Sequence, residues 1–182
     1  MVKVSVIIPV YNNEEYLSEA LDSVISQTLT DIEIICINDG STDKSPKILS
    51  EYSSNDSRFI VINQENQGSA KSRNKALDIA PGDYIAFLDA DDRYIDKMSL
   101  ELMYDAGTEN GAGLVSANLK FLTQKRELID KYPCDLIPSE EKPKRGESNR
   151  EYLTLEEVRT LMDVECKDVR VKRLFLFSCF TG

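Results

Sequence analysis

Apolar residues along this chain fall into two alternating periods. Val4-Ser5-Val6-Ile7-Ile8-Pro9-Val10 is a short, largely β-branched run closed by Pro9 and Tyr11-Asn12-Asn13, and it predicts a buried strand that ends in a loop. Over residues 14–27 the apolar positions Tyr16, Leu17, Ala20, Leu21, Val24 and Ile25 recur at three- and four-residue steps. That spacing predicts an amphipathic helix, with Asn13 as its cap and acids in its first turn.

The cycle then repeats. Residues 32–39 read as a second strand, Gly40-Ser41-Thr42 as a turn, 43–52 as a helix and 58–62 as a third strand. Residues 68–79 form another helical pattern, stopped by Pro81-Gly82, and 84–89 a fourth strand with almost no polar alternation. Strands apolar on both faces and separated by helices predict a mostly parallel central sheet covered on both sides, a three-layer α/β/α arrangement. After it, 96–106 suits a helix and 113–119 a fifth strand. Residues 131–150 carry three prolines and many charges and read as a long loop. One more helix is expected over 154–163, before the apolar run Leu174-Phe175-Leu176-Phe177-Ser178-Cys179-Phe180.

A length of 182 residues suits one full core with an appendage. Acids outnumber bases 32 to 22, giving a formal charge of −10, and no stretch gathers the basic density that a phosphate backbone needs. Nucleic acid is therefore not an expected partner. Histidine is absent, which removes Ser/His/Asp triads, Cys–His dyads and imidazole metal ligands. Cys36, Cys134, Cys166 and Cys179 show no CxxC spacing and read as reduced thiols, with core packing favoured over metal or redox roles. The start of the chain shows no leader pattern, and no apolar run reaches the ~18 residues of a membrane span. The expectation is a cytoplasmic protein.

In an open parallel sheet, ligands bind beyond the carboxyl ends of the strands. The residues there are Tyr11-Asn12, Asp39-Gly40-Ser41, Glu65-Asn66-Gln67-Gly68 and Asp89-Ala90-Asp91-Asp92. Three carboxylates in four residues repel one another unless a cation sits among them, and the two-residue step from Asp89 to Asp91 lets both face one side of an extended segment. A hard divalent ion, Mg²⁺ or Mn²⁺, suits such a set. The bland alternative is a solvated turn or an acidic cap for the helix that follows.

Asp39 could accept a hydrogen bond from a base N–H or a ribose hydroxyl, or simply belong to an Asp-Gly turn. Gln67-Gly68-Ser69-Ala70-Lys71-Ser72-Arg73 opens a helix with two cations near its start. Its backbone N–H groups and Arg73 could meet a diphosphate or hold the Asp cluster, or Lys71 and Arg73 could merely decorate a solvated helix. Neither GxGxxG nor GxxxxGK[ST] occurs, which disfavours dinucleotide oxidoreductases and P-loop enzymes.

Taken together, Ser5-Val6-Ile7-Ile8-Pro9-Val10-Tyr11-Asn12, Asn38-Asp39-Gly40-Ser41-Thr42-Asp43, Asn66-Gln67-Gly68-Ser69-Ala70-Lys71-Ser72-Arg73-Asn74 and Phe87-Leu88-Asp89-Ala90-Asp91-Asp92 resemble the family 2 glycosyltransferases with a GT-A fold. The resemblance covers residues 2–119. It implies inverting transfer of a sugar from a nucleotide-diphosphate donor, with a UDP-sugar as first expectation, to a hydroxyl of a glycan, lipid-linked or protein acceptor. It also implies that Pro9 and Tyr11 flank the nucleobase, that Asp39 hydrogen-bonds it, and that Arg73 sits near the base and the Asp cluster. Asp89 and Ala90 would lie at the ribose or sugar, and Asp91 would bind Mn²⁺ or Mg²⁺.

Residues 1–120 would then be the donor domain, and 121–182 a partial, loop-rich acceptor side with one helix, truncated or naturally abbreviated. The family's general base is a further acid after a fifth or sixth strand. Here the later acidic pairs, Glu140-Glu141 and Glu156-Glu157, read as solvated surface acids, so no base is assigned. The 174–180 run suits a strand, a homo-oligomer or other partner contact, or peripheral attachment to a membrane surface. Two other functions stay open: a sugar-phosphate nucleotidyltransferase, disfavoured by acidic Glu14-Glu15 after strand one, and a nucleotide-binding or interaction module without turnover.

Overall fold

The computed structural model describes residues 1–117 and the backbone of residues 121–122 and 128–129. Four strands and four helices alternate: β1 (Val4–Val10), α1 (Leu17–Ile25), β2 (Ile32–Asp39), α2 (Ser45–Asn55), β3 (Phe59–Gln64), α3 (Ser69–Leu77), β4 (Tyr84–Phe87) and α4 (Ser99–Glu109). All four strands are parallel, in the order β3-β2-β1-β4. The expected parallel sheet with helices on both faces is thus present.

The register follows from the apolar pattern. Val4 lies opposite Ile32 and Tyr84, and Val10 opposite Asn38, so the apolar stretches of β1, β2 and β4 stack as layers. Even-numbered positions of β1 and β2, among them Val6, Ile8, Ile34 and Cys36, enter one core with Leu17, Leu21 and Val24 of α1, Leu49 of α2 and Leu100 of α4. Odd-numbered Ile7, Ile35, Ile37, Ile85 and Phe87 enter the other, against Ala76 of α3. Because both faces are dry, a strand that slipped by one residue would gain no solvent face, and register rests on side-chain fit.

Chain direction explains where a ligand can enter. The chain moves outward from β1 to β2 and β3, then returns past β1 to place β4 on its other side. At such a reversal the loops of a parallel sheet diverge, here those after β1 and β4, and ligands of open α/β sheets bind at the strands' carboxyl ends there.

Element ends differ from expectation for local reasons. α1 starts at Leu17, not near residue 14, because the Asn13 carbonyl accepts from Tyr16 and Leu17 N–H to form an entry turn, and the cap position falls to Tyr16 instead of Asn13. α4 starts three residues late, since Asp96 first turns the chain by accepting from Met98 N–H through Oδ1 at 2.8 Å. β4 ends at Phe87, two residues short of Asp89.

The fifth strand is not formed over residues 113–117, which hold no regular structure, although Val115 packs against the core. The remainder of that expectation lies outside the described residues. So do the 131–150 loop, the 154–163 helix, both late acidic pairs, the 174–180 run and Cys134, Cys166 and Cys179. Cys36 is fully buried, as a packing role requires.

Pro81-Gly82 ends the α3 region as expected, but the glycine has a further reason. A Cβ there would stand 2.5 Å from Ser5 N, and Gly82 N–H donates to Ser5 Oγ at 2.9 Å. Among the described residues no helix is long and apolar enough to cross a membrane. Residues Met1–Ser116 belong to one compact unit; a second contains the antiparallel pair β5 (Phe121–Leu122) and β6 (Leu128–Ile129).

Candidate functional site

Side-chain parity brings the site together. Pro9, Asp39 and Asp89 continue the odd-numbered series whose earlier members pack toward α3, so their strand ends share the face from which α3 presents Ser72 and Arg73. Arg73 Nη2 reaches Asp89 Oδ1 at 2.5 Å, and its guanidinium carbon lies 6.0 Å from the Phe87 ring centre. Phe87 therefore supports the arginine from below while Asp89 orients it. Both partners keep part of their surface open, 30% for the Arg73 side chain and 40% for that of Asp89.

Asp39 is only 3% exposed and takes three hydrogen bonds. Its Oδ1 accepts from Gln64 Nε2 at 2.7 Å and from Gln67 N–H at 2.9 Å; its Oδ2 accepts from Gly68 N–H at 2.8 Å. Burial alone pushes the Asp39 carboxyl up, but these bonds, helped by the Ser72 hydroxyl, outweigh it and hold the group below the usual carboxylate range. Asp39 is thus ionised and fastens the β3–α3 loop. Gly40 beside it has φ +74°, and a Cβ there would meet Asn66 N at 2.8 Å, so the turn admits only glycine without strain.

This geometry narrows one expectation and corrects another. The N–H groups of Gln67 and Gly68, just ahead of α3, are taken by Asp39, which leaves those of the helix's own first turn as the ones that could meet a diphosphate. The carboxylate cluster is not extended: Asp92 N–H donates to the Asp89 carbonyl at 3.0 Å, closing a turn that breaks the two-residue alternation. Ala90 is 3% exposed, with its methyl group in the core on the α1/α4 side. Asp91 and Asp92 are exposed.

Among the described residues no group of three His, Cys, Asp or Glu side chains is gathered as a metal cage. The donor set fits another mode, in which one or two carboxylates hold Mg²⁺ or Mn²⁺ and substrate phosphates complete the shell. Exposed Asp91, one residue from a core-anchored Ala90, suits it.

Tyr11 is half exposed at 50%, just past the point where Val10 pairs with Asn38, and Pro9 is partly buried. Lys71 is exposed on α3. Several residues shape the site through bonds that the sequence does not show. Asn12 donates its N–H to Ser41 Oγ at 3.1 Å and accepts from Thr42 N–H at 2.8 Å through Oδ1. Gln64 spans Asp39 and Ser72 Oγ. Gln27, 5% exposed, donates to the Asp96 carbonyl and accepts from Leu100 N–H, tying the end of α1 to the chain that leaves the Asp cluster. A buried glutamine beyond a helix looks polar and dispensable in sequence; only its partners show its use.

Comparison with known proteins gives this site a context. The chain is 44% identical over 116 residues to the glycosyltransferase GlyA of Streptococcus pneumoniae, covering 64% of this chain and 16% of that protein. It is 46% identical over 106 residues to the putative glycosyltransferase EpsH of Bacillus subtilis, covering 58% of this chain and 31% of EpsH. The crystal structure of S. aureus TarS residues 1–349 in complex with UDP superposes with a TM-score of 0.57 at 35% identity, over 62% of this chain and 34% of that one. The chain therefore spans a third or less of each of these two relatives. Its sheet and helices are those of GT-A glycosyltransferases. Residues 5–162 match the family described as Glycosyl transferase family 2. On a match of that length, which contains every strand-end motif above, the chain belongs to glycosyl transferase family 2.

Proposed function

We propose that the strand ends of this domain bind a UDP-sugar and that the whole protein transfers its sugar, with inversion, to an acceptor hydroxyl. The observation that carries the nucleotide choice is the hydrogen-bond inventory of Asp39. A carboxylate offers about four lone pairs. Three are held by N–H groups, two on Oδ1 and one on Oδ2, while the neighbouring Ser72 hydroxyl donates to the Gly68 carbonyl at 3.2 Å and can turn away, so one place on Oδ2 is left for a ligand. Uracil presents a single N–H on its pairing edge and matches that vacancy. Guanine presents adjacent donors and would have to displace Gln64 or Gln67 to be met in full. The UDP bound by TarS, a 35% identical relative, supports the same base.

In this reading Pro9 and Tyr11 flank the base, Asp39 accepts from it, and Arg73, held by Asp89 and Phe87, orients Asp89 toward the ribose or sugar. Ala90 contributes backbone, and Asp91 would hold Mn²⁺ or Mg²⁺ against the diphosphate. When bound, such an ion offsets the charge on the departing diphosphate. The acceptor oxygen bonds to the anomeric carbon as the bond from that carbon to the diphosphate breaks, and the acceptor proton passes to a base. No residue among those described is assigned as that base. Residues 1–120 form the donor part and the remainder contributes to the acceptor side.

Calorimetric titration of the intact chain with UDP, GDP and CDP in Mn²⁺ tests the reading. UDP should bind tightest, by about tenfold or more over GDP, the equivalent of ~1.4 kcal/mol for one unmatched donor. Equal binding of GDP and UDP would remove the base assignment, and binding of none would remove the donor site.

A further inference from the structure

We infer that Asn12 is a positioning residue for the nucleotide, fixing Tyr11 relative to Asp39 by locking the β1–α1 loop onto the β2–α2 loop. The inference rests on the donor-site reading above and deepens it. Asn12 is the sole non-glycine among the described residues with positive φ, at 51°. Asparagine tolerates that conformation better than most side chains, and it is found where surrounding contacts over-determine the backbone.

The contacts are on hand. Asn12 N–H donates to Ser41 Oγ at 3.1 Å, and Asn12 Oδ1 accepts from Thr42 N–H at 2.8 Å. Further along, Glu14 N–H donates to Asp43 Oδ2 at 2.9 Å while Lys44 N–H donates to Glu14 Oε2 at 2.8 Å. Each loop thus lends both side-chain acceptors and backbone donors to the other. Loops joined reciprocally in this way move as one body.

The position of this brace gives it a role beyond stability. Tyr11 immediately precedes Asn12, and Asp39 lies two residues before Ser41. Val10 and Asn38 are register partners, so Tyr11 and Asp39 are the next residues along adjacent strands. A nucleobase contacted by both would need their spacing held, and half-exposed Tyr11 has little packing of its own to hold it. The left-handed turn at Asn12, pinned by Ser41 and Thr42, supplies that constraint.

The test is a double-mutant cycle on UDP affinity, measured by calorimetry on the intact chain in Mn²⁺, with thermal melts of every variant. Asn12→Gly keeps the backbone conformation and removes the acceptor, and UDP should bind about 3- to 10-fold more weakly, the worth of one neutral hydrogen bond. Asn12→Asp retains an acceptor for Thr42 N–H and should restore affinity to within about twofold of wild type. If Asn12 acts through Tyr11, Tyr11→Ala with Asn12→Gly should lose no more than about twofold beyond Tyr11→Ala alone.

Should Asn12→Gly not fold, Ser41→Ala, which removes the acceptor for Asn12 N–H, carries the same prediction against Tyr11→Ala. Multiplying losses, or a lowered melting temperature with unchanged affinity, would overturn the inference while leaving the donor site standing. A wild-type chain that binds no UDP would overturn both, and is recognised by the wild-type titration alone.

Discussion

Replacing Asp39 with asparagine changes one atom and asks the most of the site. Three N–H groups converge on this carboxylate, from Gln64 Nε2, Gln67 and Gly68. An amide has one acceptor oxygen. With that oxygen in the Oδ1 place it keeps Gln64 and Gln67 but turns its NH₂ toward Gly68 N–H; flipped, it keeps Gly68 and loses two. The better orientation leaves one donor unpaired, which costs about 1–3 kcal/mol. For a chain of this size that is a fall of roughly 2–12 °C in melting temperature.

Urea unfolding followed by circular dichroism at pH 7 reads the free energy, and a thermal melt reads the shift. The difference from wild type should also shrink in acid. Because the folded Asp39 carboxyl lies below its ordinary value, its stabilisation is fully present above the unfolded pKa of about 4 and is lost as pH falls through the lower folded value. An Asp39→Asn variant within about 0.5 kcal/mol of wild type at pH 7, or a gap that persists unchanged at low pH, would refute the inventory on which the uracil assignment stands.

Other consequences are simpler to read. Gly40→Ala combines a φ of +74° with a Cβ 2.8 Å from Asn66 N, and it should cost about 1–3 kcal/mol by urea unfolding. Asp43 and Asp56 join Asp39 in the acid transition. Burial raises the Asp43 carboxyl but bonds from Ser45 and Glu14 N–H outweigh it, while Arg58 is the main cause that lowers Asp56. A pH series of melts should therefore show stability flat above about pH 5 and falling below about pH 4. Arg73→Lys cannot keep a guanidinium near the Phe87 ring while bonding Asp89, and it should weaken UDP binding about 5-fold or more while moving the melting temperature little.

The sheet was legible because its strands are apolar on both faces. Runs such as Ile34-Ile35-Cys36-Ile37 leave no reading but a doubly covered strand, and Pro81-Gly82 marks a stop that no helix crosses. Boundaries were harder, since they depend on bonds made by loop atoms: Asp96 delays α4 and the Asn13 carbonyl delays α1. The candidate site positions were read from strand ends alone. What those positions do to one another was not, because Asp39's partners lie 25 to 29 residues away. Spacing also misled at Asp89 and Asp91, where an extended segment was assumed and a turn intervened. The Asn12 brace escaped notice for a related reason, as Asn-Asn after a strand reads as an ordinary turn until Ser41 and Thr42 are brought beside it.

In the proposed function, these strand ends hold a nucleoside diphosphate with a divalent cation at Asp91. Titrating UDP into the intact chain and into its Asp91→Asn variant, each in Mn²⁺ and again in EDTA, tests it directly. EDTA should weaken wild-type binding at least tenfold, and Asp91→Asn should bind weakly and equally in both buffers. Wild-type affinity that is the same with and without Mn²⁺, or an Asp91→Asn variant that keeps the full metal response, would contradict it.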